Sequence, residues 1–177
     1  MNEQHLKNAR CYLSGPMEQE GDGNVWREKV SRFLESIGVT VFDPYHKPFK
    51  TSLPENNEVR ARLMAARANH DLQYVHEYMK RVRSDDLRLC DLCDFLICRL
   101  NPNVCSLGTS EELFTCNRMK KPCFVWVEGG VTKAPLWLLG TLPPKYLYNS
   151  LDEIIKTLTM IDNGTTSIDS DRWRLLK

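Results

Sequence analysis

Glu112 has the neighbourhood in this chain that most readily does chemistry. It lies in Ser106-Leu-Gly-Thr-Ser-Glu-Glu-Leu113. That segment follows an apolar run, Phe95-Leu96-Ile97-Cys98, which reads as a buried strand, and precedes Phe114 to Lys121, which reads as a helix ending before Pro122. A glycine turn between a strand and a helix thus carries a glutamate in the first helical turn. Ligands of an open parallel sheet bind beyond the carboxyl ends of its strands. A helix N-terminus favours a carboxylate in its anionic form, and such a group can act as a general base or a nucleophile. The same letters also spell a capping box, with Thr109 as N-cap and Glu112 three residues on. Ser150-Leu-Asp-Glu153 repeats the pattern where no chemistry is expected. Taken alone, the segment favours plain capping, and the functional reading has to come from the rest of the chain.

The elements that must position Glu112 follow from periodicity and punctuation. Arg10-Cys-Tyr-Leu-Ser14 reads as a strand ending at Gly15-Pro16, and residues 18–24 as a polar loop. Apolar residues from Val25 to Ile37 recur at helical spacing and Gly38 closes the helix. Val39 to Phe42 is a second strand, stopped by Asp43-Pro44, and residues 44–57 form a long loop of the kind that usually carries function. Asn57 to Arg83 reads as a long polar helix bearing Arg60, Arg62, Arg67, His70, His76, Lys80, Arg81 and Arg83. Most of that face is expected to be solvated, with a few cations turned toward an anionic substrate. Ser84 is expected to cap a short helix, 85–92, before a third strand at Asp94–Cys98. Pro122 to Val127 and Tyr146 to Tyr148 complete the strands, with helices at 134–139 and 151–161 and a tail, 162–177, docking through Trp173.

Strands alternating with helices specify an α/β fold: one domain over residues 1–161, a flavodoxin-like or Rossmann-like three-layer sandwich with a mostly parallel five-stranded sheet, followed by the polar tail. Gly15-Pro16, Asp43-Pro44, Asn101 to Gly108 and Glu128-Gly-Gly130 should gather on one edge of it.

Composition narrows the function classes. The 177 residues are 42% hydrophobic and 27% charged, ordinary for a globular protein, and the net charge of +1 argues against a nucleic-acid polymer as partner. No stretch is apolar enough to span a membrane and the N-terminus lacks a signal-peptide core, so a cytoplasmic location is expected. Seven cysteines, an odd number in largely apolar contexts, read as reduced buried thiols. Cys90-Asp-Leu-Cys93 has metal-ligand spacing, but its helical setting and the lack of a nearby histidine argue against a metal site.

Two groups of residues then carry a resemblance. One is Tyr12-Leu-Ser-Gly-Pro-Met17 with Asp22 and Trp26-Arg27. The other is Asp86-Leu87, Cys93-Asp94-Phe-Leu-Ile97, Ser106-Leu-Gly-Thr109, Glu112 and Lys121-Pro122. In order and spacing, from about Tyr12 to Val127, they resemble the nucleoside 2-deoxyribosyltransferase superfamily, which includes the nucleoside 5′-monophosphate N-glycosidases. The resemblance implies cleavage of the N-glycosidic bond of a nucleoside or nucleotide, without a cofactor or metal, by hydrolysis or base exchange. Glu112 matches the glutamate that attacks the anomeric carbon, and neighbouring Glu111 would point about 100° away. Tyr12 matches the aromatic hydroxyl that orients it. Asp86, eight residues before Asp94, matches the aspartate that holds the sugar or protonates the base. Asp94 itself reads better as a strand-entry residue bonded to backbone.

Substrate contacts are expected from Ser14, Gly15, Pro16, Met17, Asn101, Ser106, Gly108 and Thr109, with backbone N–H groups at the two glycine turns suited to a 5′-phosphate. Nucleotide N-glycosidases often carry a basic residue two or three positions after the first-loop glycine, where this chain has Met17-Glu18. Base-exchanging members often carry an aspartate after the third strand, where this chain has Asn101-Pro-Asn103. Members usually pair, and the helix around 57–83 and the segment Ala134 to Tyr148, with its apolar Pro135-Leu-Trp-Leu-Leu139, are the candidate surfaces for a homodimer or higher homo-oligomer, with Tyr148 or Asn149 expected near a partner's pocket. The alternative is a nucleotide-binding sensor or regulatory module without turnover. Tyr12, Asp86 and Glu112 together favour the enzyme, because a binder needs no such carboxylate pair.

Overall fold

The computed structural model describes residues 4–17, 25–166 and 172–173, so the first-loop residues Glu18 and Asp22 and most of the tail lie outside it. Five strands, β1 (Arg10–Ser14), β2 (Thr40–Phe42), β3 (Phe95–Leu100), β4 (Cys123–Val127) and β5 (Leu147–Tyr148), form one sheet in the order β2-β1-β3-β4-β5. Every pairing is parallel, so the sheet is wholly rather than mostly parallel. This is the flavodoxin-like order, with the reversal of winding between β1 and β3.

Alternation along the strands divides the core in two. Cys11, Leu13, Phe95, Ile97 and Phe124 face α1 (Val25–Ser36) and α6 (Leu151–Asp162). Tyr12, Leu96, Cys98, Cys123 and Val125 face α3 (Leu72–Leu92) and α4 (Leu107–Arg118). Two further helices, α2 (Asn57–Ala68) and α5 (Leu136–Thr141), complete the set among the described residues. Trp173 is buried against Phe95 and Phe124, with ring centroids 5.5 and 5.8 Å away, so a residue of the tail completes the first core.

Three helix boundaries differ from those expected. The polar stretch 57–83 is not one helix: α2 ends at Ala68, His70 takes a positive φ of 61°, and Asp71 caps α3 by accepting from the Tyr74 N–H. Ser84 caps nothing, because α3 runs unbroken to Leu92. Three residues of turn chemistry, Asn-His-Asp, outweigh the helical periodicity on either side. The third difference is at α4, whose N-cap is Ser106 rather than Thr109; the Ser106 side chain accepts from the Thr109 N–H at 3.4 Å. Near the C-terminus half of the box forms: Ser150 caps α6 by accepting from the Glu153 N–H, while Glu153 accepts from the N–H of Asn149, one residue before the cap.

Candidate active site

Moving the cap of α4 to Ser106 changes what Glu112 is. The side chain that would reach back to the cap sits at Thr109, whose hydroxyl lies 2.7 Å from that of Ser106. Glu112 is a turn further into the helix, buried, and makes no capping contact. Its partners come from β1. Tyr12 donates its phenolic O–H to Glu112 Oε1 at 2.8 Å, and Ser14 donates its hydroxyl to Oε2 at 2.5 Å. Tyr12 and Ser14 are two residues apart, so they share one face of the strand and present two donors to one carboxylate.

Burial, followed by the charge of Asp86, pushes the Glu112 carboxyl from its ordinary value near 4.5 up to about 7, against the two hydrogen bonds that favour the charged form. Burial and the adjacent carboxylate hold the Tyr12 phenol well above its ordinary value, so it is a donor. Glu111 is different: it is more exposed and bound to Arg83, with Nε 2.7 Å from Oε2, and that hydrogen bond lowers its pKa below the ordinary value.

The end of β1 is fixed from below. Arg27 of α1, almost fully buried, donates to Leu13 O at 2.6 Å and Gly15 O at 3.2 Å, and lies over the rings of Trp26 and Tyr45. Its charge is met by Asp43, 3.6 Å away. A Cβ at Gly15 would come within 3.1 Å of Trp26, so glycine lets this ring close under the turn.

Asp86 sits on α3, not in a first helical turn, and is buried. Its Oδ1 is 2.8 Å from Nζ of Lys47, which also pairs with Glu55. Burial raises the carboxyl of Asp86 while Lys47 opposes it. Neither Lys47 nor Glu55 was expected: in a proline-rich loop such residues read as solvated, and the sequence holds no signal that they fold inward. Asp94 takes the Arg10 N–H and guanidinium at 2.8 to 3.0 Å, the backbone-bonded role expected of it.

These groups surround a cavity of about 760 Å³, in the range of small-molecule sites. Gly15, Pro16 and Met17 line it after β1, Ser106, Gly108, Thr109 and Glu112 at the start of α4, Glu55 from the loop before α2 and Asp86 from α3. Ser14 reaches it only through Glu112, and Asn101 is not among the lining residues; its Oδ1 accepts from the Asn103 N–H and closes a turn after β3. Of the expected cations, His76, Lys80 and Arg83 line the cavity on successive turns of α3. A Cβ at Gly108 would meet nothing within 4 Å, so the backbone there is open to a ligand.

All seven cysteines are free and only Cys105 is exposed. Among the described residues, no group of three or more His, Cys, Asp or Glu is arranged to hold a metal ion, and no helix is long and apolar enough to cross a membrane.

No protein-family model matches the chain, and no curated protein matches it in sequence. Solved structures do. A 2-deoxyribosyltransferase from the psychrotolerant bacterium Bacillus psychrosaccharolyticus aligns with a TM-score of 0.57 and 21% identity, over 85% of this chain and 96% of that one. A Clostridium botulinum CMP N-glycosidase, BcmB, aligns with a TM-score of 0.48 and 16% identity, over 85% of this chain and 98% of its own. The first alignment shows that this chain shares the fold of a 2-deoxyribosyltransferase.

Proposed function

We propose that this protein cleaves the N-glycosidic bond of a nucleoside or nucleotide, with Glu112 as the nucleophile. The observation that carries the reading is the setting of Glu112: a buried carboxylate, gripped at both oxygens by hydroxyls of one strand, on the wall of a ligand-sized cavity. A purely structural glutamate has no need of two donors that fix its orientation at a cavity wall. The shared fold makes the sugar–base bond the first substrate class to test.

The chemistry follows from the parts. Departure of the base leaves positive charge on the sugar, and a carboxylate held against the anomeric carbon traps it as a glycosyl ester, as in retaining glycoside hydrolysis. Tyr12 and Ser14 keep Glu112 oriented, and their bonds favour the anion that attacks. Asp86 holds a sugar hydroxyl or assists the base. Capture of the ester by water gives hydrolysis, and capture by a second base gives exchange. The open backbone at Gly108, the α4 N-terminus and the cations of α3 suit a 5′-phosphate, which favours a nucleotide over a nucleoside.

The test is incubation with nucleosides, 2′-deoxynucleosides and their 5′-monophosphates, with and without a second base, and chromatography for free or exchanged base. Release that disappears in Glu112→Ala supports the reading. Binding without turnover across the panel would move the protein to the sensor class.

A further inference from the structure

We propose that Glu55 is the acid that protonates the departing base, and that Lys47 and Asp86 are the pair that positions it; this rests on the glycosidic reading above. The geometry is a buried ammonium shared by two carboxylates at the cavity. The Lys47 side chain is 3% exposed, its Nζ is 2.8 Å from Asp86 Oδ1, and it pairs at the same time with Glu55 Oε1. Asp86 comes from α3 and Glu55 from the loop before α2, and both line the cavity that Glu112 also lines. Glu55 borders a second, smaller hollow between α2 and α3 as well, so it lies where the two spaces meet.

Charge balance makes one of these carboxyls the proton reservoir. One ammonium, that of Lys47, meets two carboxylates, Glu55 and Asp86, in a poorly solvated space, while Arg27 is held by Asp43 and the cations His76, Lys80 and Arg83 line the cavity from α3. Arg60 of α2, Tyr78 of α3 and Tyr45 also line the hollow beside Glu55. Asp86 and Glu55 share that one ammonium, and the glutamate, whose ordinary value is the higher of the two, takes up a proton first. Glu55, mainly through burial and then the charge of Asp86, is pushed up to about 7, against Lys47. Burial alone would lower the Lys47 ammonium, but Asp86 and Glu55 outweigh it and hold it above its ordinary value, so Lys47 stays charged.

The step balances without an added reagent. Glu112 oxygen bonds to the anomeric carbon as the bond from that carbon to the base nitrogen breaks. The bonding pair leaves with the base, and the Glu55 proton moves to the base. Glu55 is then a carboxylate opposite Lys47. In hydrolysis it takes a proton from the water that attacks the glycosyl ester, which frees Glu112 and restores the acid. General acid–base help of this kind is worth about 10²–10⁴-fold.

The test compares wild type, Glu55→Gln and Glu112→Ala on the best natural substrate and on the matching 4-nitrophenyl glycoside, whose leaving group needs no proton. For Glu55→Gln, base release should fall at least about a hundredfold. The first turnover of nitrophenolate should keep its wild-type rate, followed by slow turnover and a glycosyl-enzyme visible by mass. Lys47→Met should move the alkaline limb of the pH–rate profile upward, because loss of the cation makes Glu55 hold its proton more tightly; a merely structural lysine would leave that limb in place. Loss of both substrates in parallel in Glu55→Gln, or near-wild-type base release, overturns the role of Glu55 alone. A wild type silent on both substrates, with Glu112→Ala no different, overturns the glycosidic reading and this inference with it.

Discussion

At the scale of the residue, the two donors on Glu112 make separable predictions. Tyr12→Phe removes one hydrogen bond to a buried charge and leaves the ring in place, which should slow turnover by about 10- to 100-fold in steady-state assays with little change in binding. Glu112 also imposes a pH dependence on stability. Its carboxyl titrates near 7 in the folded state and near 4.5 when exposed, so the folded form prefers it protonated. The stabilising contribution is therefore complete below about pH 4.5 and is lost as the pH rises through 7, on the order of 3 kcal/mol. Denaturant titrations from pH 5 to 8 should show Glu112→Gln losing less stability over that window than wild type. A steeper loss in the variant would show that the carboxylate is not a buried charge. Tyr12, Asp86 and Glu112 were singled out together through the family resemblance, not by any one local pattern, and the structure brings Tyr12 onto Glu112 and places Asp86 at the same cavity. Ser14 was legible only as a backbone contact, since nothing in a sequence says that a serine two residues from a tyrosine will share its acceptor. Lys47 and Glu55 were illegible because inward folding of a loop leaves no periodicity.

At the scale of the element, α4 shows how cap and chemistry can be confused. Ser-x-x-Thr and Thr-x-x-Glu overlap in one stretch, and the true cap is settled by where β3 ends rather than by local letters. Ser106→Ala should cost about 1 kcal/mol, a lowering of the melting temperature by about 2–4 °C, and should also weaken phosphate-bearing substrates if the α4 N-terminus receives them. Ser150→Ala at α6 should cost a similar amount of stability and leave substrate binding unchanged, which makes it the control. The unexpected break at Asn69–Asp71 has a use for the site. It lets α3 start afresh, and the spacing of His76, Lys80 and Arg83 then brings all three to the cavity.

At the scale of the whole molecule, the five strands and the parallel α/β class were legible because the strands are largely apolar and each is followed by a helical period, whereas the order β2-β1-β3-β4-β5 comes from the structure. The end of β3, two residues beyond the one expected, was not legible, since Arg99 and Leu100 continue the ladder opposite Trp126 and Val127. Trp173→Ala should destabilise by about 3–5 kcal/mol in chemical denaturation, because it empties the space between Phe95, Phe124 and α6. We also propose a homo-oligomer: Leu136 and Trp137 are 86% and 79% exposed on α5, a patch a partner copy would cover. Tyr148 is buried, and Asn149 is engaged by Val131 and Glu153, so α5 rather than the end of β5 is the candidate surface. Light scattering should give a mass above the 20.5 kDa of one chain, and Trp137→Glu should reduce it.

The pleat of β1 has a consequence at the level of the gene. Tyr12 and Ser14 point to Glu112 while Cys11 and Leu13 point to the opposite core, so the site depends on the phase of a five-residue strand. Loss or gain of a single in-frame codon just ahead of Tyr12 would exchange the two faces, provided that the strand keeps its register. Both hydroxyls would turn away together; a codon gained ahead of Cys11 would bring a thiol and an aliphatic chain to the carboxylate, and a codon lost there would bring Leu13 and Gly15, although Tyr12, Ser14 and Glu112 would still be encoded. Among natural variants of this protein, length changes should therefore be absent from residues 10–14 even where substitutions are tolerated.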